Sequence, residues 1–215
     1  MIVGGLRLRY LGNKGDAPWH NLVERNFPRP VNHGLLEYAN DKELGFPFEG
    51  NGKPVVCKLP FNKQVTPWLE VESQGGDTIF ITTDNPKNAI TAHYITRPGR
   101  QTFECYSWMN GHDVRYTIPK GVKVLSLKYR WMTVGEMAGR FQIDDPFYQR
   151  LWDMCYNTLF VCARDNFMDC PDRERALWIG DVADQTSYLF YSMDDAGRKL
   201  LRMAIISTCV SAIIR

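Results

Sequence analysis

No stretch of this 215-residue sequence reaches the ~18 consecutive apolar residues that a membrane-crossing helix needs, so no spanning segment is expected. The N-terminus, MIVGGLRLRYLGNKGD, has no apolar core of signal-peptide length and sets Gly4 and Gly5 where that core would lie. A soluble chain without an export signal is expected, which leaves cytoplasm and periplasm both open. The six cysteines form no C-x-x-C pair, which excludes the common zinc spacings, and they are too sparse for a small disulfide scaffold. Cys155 and Cys162 sit within an apolar helical pattern and are expected to be buried, reduced and hydrophobic in behaviour. Net charge is only +2 and the 26 basic residues are scattered, so neither nucleic acid nor an anionic membrane surface is an expected partner. The acidic residues lack the alternation and central glycine of a calcium-binding EF-hand loop. No metal and no cofactor are expected. Internal repeats and low-complexity segments are absent too.

What the sequence does contain is two hydropathy periods in succession. Its 44% hydrophobic and 23% charged residues are ordinary for a folded protein. Residues 1–50 are rich in Gly, Pro and Asn, with apolar fragments at Leu6–Leu11 and Leu35–Tyr38, and read as loops with one or two short strands. From about Pro54 to Met132 the pattern is β. Val55–Pro60, Val65–Glu72, Thr78–Thr83, Ile90–Thr96, Gln101–Trp108, Val114–Ile118 and Val122–Trp131 are short runs of β-branched and aromatic residues. Turn clusters such as Gln74-Gly75-Gly76-Asp77 and Arg97-Pro98-Gly99 separate them, at the spacing of roughly ten residues that suits a β-sandwich. Asn110-Gly111 reads as a hairpin turn, because both residues tolerate positive φ. Trp108 and His112 flank it and read as packing and a satisfied polar group rather than as sugar contacts.

After Gly135 the period becomes helical. Asp144-Asp145-Pro146 supplies an acidic cap followed by proline in the first turn, and predicts a helix running to Ala163. Gly180-Asp181 opens a second helix with Val182, Tyr188, Leu189 and Tyr191 on its apolar positions. Asp194-Asp195 caps a third, with Leu200, Leu201, Met203, Ile205 and Ile206 forming a broad apolar face. The expected organisation is α+β and multidomain: a loop-rich segment over 1–50, a β-sandwich over 51–132, a linker over 133–143 and a helical domain over 144–215.

Between the first two helices lies the densest chemistry in the chain. Asp169, Asp172, Glu174 and Asp181, with Arg173, Arg175 and Trp178, fall within the stretch DCPDRERALWIGD. Pro171 bars an ordinary helix there. Phe167, Met168, Leu177, Trp178 and Ile179 draw the segment inward. Carboxylates drawn towards an aromatic-lined place beside arginines are a setting in which pKa values diverge. A structural ion-pair network is the alternative for the same residues.

DCPDRERALWIGD closely resembles the signature of the bacterial α-L-rhamnosidases, glycoside hydrolase family 78, carried here by Asp169, Cys170, Pro171, Arg173, Glu174, Trp178, Gly180 and Asp181. Some members have one more residue between the proline and the glutamate. A weaker similarity runs through Leu69–Thr117, in PWLEV, TFECYSWMNG and YTIP. The resemblance implies an (α/α)6 barrel of the six-hairpin type preceded by a β-sandwich, here a sandwich followed by the first helices of an incomplete barrel. It also implies an inverting hydrolase of terminal non-reducing α-L-rhamnose residues. Its general acid would be Glu174. Asp169 and Asp181 would accept hydrogen bonds from sugar hydroxyls, Trp178 would line the pocket against the 6-deoxy methyl group, and Arg173 is a further substrate contact. Partners would be rhamnose-containing oligosaccharides, polysaccharides or glycosides.

Asp169, Asp172 and Asp181 would oppose a negative charge on Glu174, Trp178 and Leu177 would desolvate it, and Arg173 and Arg175 would act in the opposite sense. Structural roles stand beside these: Asp169 could satisfy backbone N–H groups in its turn and Asp181 could cap the following helix. The family's general base lies a few hundred residues beyond the acid, so the chain is expected to be inactive alone. Its third helix is expected to leave an apolar run at Ile205–Ile214 available for self-association. Two further readings remain: a carbohydrate-binding sandwich module, and another six-hairpin glycosidase with a different sugar.

Overall fold

A computed structural model describes residues 13, 16, 30–87 and 90–213 of the chain. Leu6–Leu11 and most of the expected loop-rich segment lie outside them. The described chain runs β1 (Val31–Glu37), a helical turn α1 (Asp41–Leu44), β2 (Phe48–Glu49), β3 (Pro54–Ser73), β4 (Thr78–Thr83), β5 (Ala92–Ile95), β6 (Gly99–Glu104), β7 (Met109–Thr117) and β8 (Lys123–Thr133). Three helices follow: α2 (Pro146–Val161), α3 (Ile179–Ser192) and α4 (Asp195–Ile213). No helix among the described residues is long and apolar enough to cross a membrane.

The strands form one antiparallel sheet in the order β1-β8-β3-β7-β4-β5, with β2 also on β8 and β6 also on β3. The reason for a single sheet is β3. The runs expected as two strands, Val55–Pro60 and Val65–Glu72, are one strand of 20 residues. Its first half pairs with β7 and its second half with β8 and β6, across an irregularity between Lys58 and Lys63. The two layers expected of a sandwich are therefore two halves of one curled sheet. Both halves turn the same face inward: Cys57 and Leu59 in the first, Val65, Leu69 and Val71 in the second. The core they share with Ile79, Ile81, Tyr116, Leu127 and Tyr129 is fully buried or nearly so, and burial of each large side chain is worth about 1.5–3 kcal/mol. β1 and β2 pair with β8, so residues before 51 already belong to this sheet.

Asn110-Gly111 is not a hairpin turn. Both residues lie inside β7, opposite Gln64 and Lys63. Gly111 is needed there for space rather than for a turn, since a side chain would collide with the Asp84 carboxylate and Thr83. The Asp84 carboxylate accepts from the backbone N–H of His112 and Asp113, at 2.8 and 2.9 Å.

α2 and α4 form as their caps predict. The Asp145 side chain accepts from Phe147 N at 2.8 Å, and Pro146 opens α2. Asp195 opens α4. A second core gathers Leu159, Phe160, Phe167, Val182, Leu189, Met193 and Leu200. The residues expected to be a linker are held against this unit: Ala138 and Gly139 donate to Ser192 O at 3.0 and 2.9 Å. Gly139 allows that approach, because any Cβ would run into the Tyr191 carbonyl. Only part of the expected apolar faces is covered. Tyr188, Tyr191, Ile205 and Ile206 are exposed, and so is Cys155, whereas Cys162 is buried; none of the six cysteines is in a disulfide. The step from Cys155 to Cys162 keeps one stripe of α2, but α3 covers that stripe only at its C-terminal end.

Candidate active site

The stretch from Arg164 to Trp178 leaves α2, meets the sheet at Asn110 of β7 and at Asn85 after β4, and returns as α3. Its inner end is anchored by Phe167, which is fully buried, and by Gln185 of α3, whose Nε2 donates to Met168 O at 2.8 Å. The Asp169 carboxylate accepts from Ala176 N at 3.0 Å, and Asp169 N donates to Ala176 O at 3.0 Å. The loop is thereby pinched shut between 169 and 176. Burial would raise the Asp169 pKa, but hydrogen bonds from the backbone of Ala176 and Cys170 outweigh it and hold the carboxyl below its ordinary range.

Two groups of the expected site residues emerge. Asp169 and Asp181 line one open groove of about 380 Å³ between α2 and α3. Asp184, Gln185 and Tyr188 from α3 complete one wall, and Cys155, Thr158 and Cys162 from α2 form the other. On the outer turn of the loop, Arg173 Nη2 meets Glu174 Oε1 at 2.6 Å and Trp178 Nε1 donates to Glu174 Oε2 at 3.1 Å. This second group is open to solvent: the Glu174 side chain is 39% exposed and Trp178 54%. The indole therefore meets Glu174 as a hydrogen-bond donor at the surface, not as the desolvating wall expected from the sequence. An exposed Arg–Glu pair of this kind adds little stability, about 0–1 kcal/mol.

Asp181 does not cap α3. Trp178 occupies the cap position and Asp181 lies in the first turn, where its charge still suits the positive end of the helix. Asp172, which carries no expected substrate role, ties the loop to the sheet instead. Its Oδ1 accepts from Asn110 Nδ2 at 3.0 Å and from Asn85 Nδ2. The half-buried Trp108 packs against the guanidinium of Arg175. Among the described residues no group of three or more His, Cys, Asp or Glu side chains could hold a metal. Sequence reasoning passed over Asp184 and Gln185 and took Tyr188 only as an apolar helix position. Their signal was present: from Asp181 they follow at steps of three, four and seven, one face of a helix.

A sequence model described as the bacterial alpha-L-rhamnosidase 6 hairpin glycosidase domain matches residues 136–205, which include the loop and both helices that frame the groove. Among solved structures, the chain is similar to the family 78 rhamnosidase of Bacillus sp. GL1, with a TM-score of 0.61, 22% identity, and 78% of this chain and 18% of that one covered. It is similar to a rhamnosidase from Klebsiella oxytoca with rhamnose bound, at a TM-score of 0.62 and 13% identity, covering 83% of this chain and 42% of the other. The α-L-rhamnosidase of Dictyoglumus thermophilum gives 0.60 and 15%, covering 80% and 21%. The chain thus spans less than half the length of each of these relatives. No curated protein matches it. Residues 136–205 match the sequence model of the bacterial α-L-rhamnosidase six-hairpin glycosidase domain, and the α+β fold of the described chain, with its curled antiparallel sheet, is similar to parts of solved rhamnosidases.

Proposed function

We propose that this chain carries the acid side of the active site of an inverting α-L-rhamnosidase, a glycosidase acting on terminal non-reducing α-L-rhamnose in oligosaccharides, polysaccharides or glycosides. The observation that carries the reading is the convergence of Asp169 and Asp181 on one groove, within the segment matched to the family. The groove's volume falls in the range of about 300–1,000 Å³ usual for small-molecule sites. An Asp169 held ionised can only accept hydrogen bonds, which suits sugar hydroxyls as donors.

In the proposed reaction Glu174 gives its proton to the departing glycosidic oxygen. A second carboxylate takes a proton from water, which attacks the opposite face of the sugar across a carboxyl separation of about 6.5–9.5 Å. By resemblance that base lies a few hundred residues beyond Glu174, so these 215 residues bind rhamnose without turning over a rhamnoside. Trp178 and Arg173 complete the contacts, Trp178 facing the 6-deoxy methyl group. Self-association through the exposed Phe190, Ile205 and Ile206 belongs to the same proposal.

The test is saturation-transfer NMR with L-rhamnose on the chain and on Asp181→Asn, beside an aryl α-L-rhamnoside assay. Rhamnose transfer lost in Asp181→Asn, without turnover, is the expected result. Turnover by the chain that disappears in Glu174→Gln would overturn the acid-only reading.

A further inference from the structure

We infer that the sheet aims the acid: Trp108 and Arg175 are positioning residues for Glu174. The inference rests on the role proposed for Glu174. Arg175 follows it directly and has φ of 52°, the left-handed region that a residue with a side chain rarely adopts. That turn sends consecutive side chains in different directions. Glu174 goes out to Arg173 and Trp178, and Arg175 goes in to the sheet, where its guanidinium centre lies 3.5 Å from the centroid of the Trp108 ring. The same guanidinium is fixed by the loop's own backbone, with Nε donating to Pro171 O at 3.0 Å and Asp172 O at 2.9 Å, and Nη1 reaching Trp108 O at 3.4 Å.

Asp172 is the second anchor, through Asn85 of the β4–β5 connection and Asn110 of β7. Arg173 and Glu174 are therefore a two-residue tip whose neighbours on both sides are fastened to the sheet. Trp108 has its own support. It immediately precedes Met109, which pairs with Val65 of β3, and the Arg164 guanidinium lies 5.1 Å from its ring. Arg164 is in turn hydrogen-bonded to Gln64 of β3, whose amide donates to Val161 O at the end of α2. Burial pushes the guanidinium of Arg164 down to about 10, with Arg175 acting in the same direction, and burial lowers that of Arg175 also. Two half-buried arginines share one indole, whose π-face attracts cations. A general acid must stay within hydrogen-bond reach of a single oxygen, and a tip fixed at both flanks meets that requirement where a free surface turn would not.

The test uses the intact chain and the variants Trp108→Leu, Trp108→Tyr and Arg175→Lys, read by amide hydrogen exchange and by the indole 1H–15N signal of Trp178. Trp108→Leu and Arg175→Lys should speed exchange over residues 169–178 by roughly tenfold and leave β8 and α4 unchanged, since a desolvated cation–π contact is lost or weakened. In both variants the Trp178 signal should move towards its position in Glu174→Gln. Trp108→Tyr should restore both. A uniform rise in exchange across sheet and helices, or an unmoved Trp178 signal, overturns the inference and leaves Trp108 a packing residue. Neither readout involves rhamnose. A chain that fails to bind rhamnose but passes this test refutes the glycosidase reading and leaves the clamp standing; the reverse result does the opposite.

Discussion

Asp172 offers the sharpest energetic test, because two amides converge on a single oxygen atom. Asn85 and Asn110 both donate to its Oδ1, and Asn110 is 1% exposed. A hydrogen bond to a charged acceptor is worth about 1.5–3 kcal/mol. The bond from Asn110 is shielded and counts in full; Asn85 is half-buried and water replaces part of its bond. Asp172→Ala should therefore destabilise the chain by about 2–4 kcal/mol, a large fraction of the ~5–15 kcal/mol typical of a domain. Asp172→Asn keeps an oxygen where both amides expect one and loses only the charge, so its cost should be about 1 kcal/mol. Urea unfolding followed by circular dichroism measures both, with unchanged slopes showing that the compactness of the two end states is unaltered. Equal losses in the two variants, or a loss under ~0.5 kcal/mol in Asp172→Ala, would refute the claim that this oxygen joins loop to sheet.

Lys63 and Asp169 give two pH-dependent predictions of the same sign in separate pH windows, since both folded pKa values are lowered and stability rises with pH in each. The Lys63 side chain is buried, with Nζ 3.1 Å from the centroid of the Trp131 ring, and burial pulls its pKa from 10.5 down to about 8. The unfolded chain binds more protons than the folded one between those values, so stability rises with pH there. Thermal unfolding from pH 7 to 10.5 should shift the balance in favour of the wild type over Lys63→Met by up to about 3 kcal/mol, and a constant difference would contradict the burial. For Asp169, whose folded pKa is depressed, the contribution is present above the unfolded value of 3.8 and lost as pH falls through the folded one. The Tm difference between wild type and Asp169→Asn should be largest at neutral pH, of the order of 1 kcal/mol in stability, and should close in acid; a gap that widens in acid would contradict the hydrogen bonding seen.

The helical part was legible because its signals are local. Asp145-Pro146 and Asp194-Asp195 mark helix starts whatever surrounds them, and α2 and α4 begin within a residue of those marks. The strands were legible as strands but not as a sheet. Residues 61–64 read as the gap between the runs Val55–Pro60 and Val65–Glu72, yet β7 pairs with β3 on both sides of the irregularity between Lys58 and Lys63 and carries the ladder through. Asn110-Gly111 has the chemistry of a turn. The space that Asp84 leaves, a contact between distant residues, makes it strand instead. In the loop, the motif led to the expectation of Asp169 and Asp181 as substrate contacts, and in the structure both line one groove. The attachments of Asp172 and Arg175 could not be read from it, because their partners Asn85, Trp108 and Asn110 lie 62 to 87 residues away in the case of Asp172 and 67 in that of Arg175.

Rhamnose binding tests the central claim most directly. Saturation-transfer NMR of the chain with L-rhamnose, with D-glucose as the comparison sugar, should show transfer to the 6-methyl protons, little to glucose, and loss in Asp181→Asn while the circular dichroism spectrum is unchanged. Equal transfer to both sugars, or rhamnose transfer that survives Asp181→Asn, would mean that the groove between α2 and α3 is not a rhamnose site.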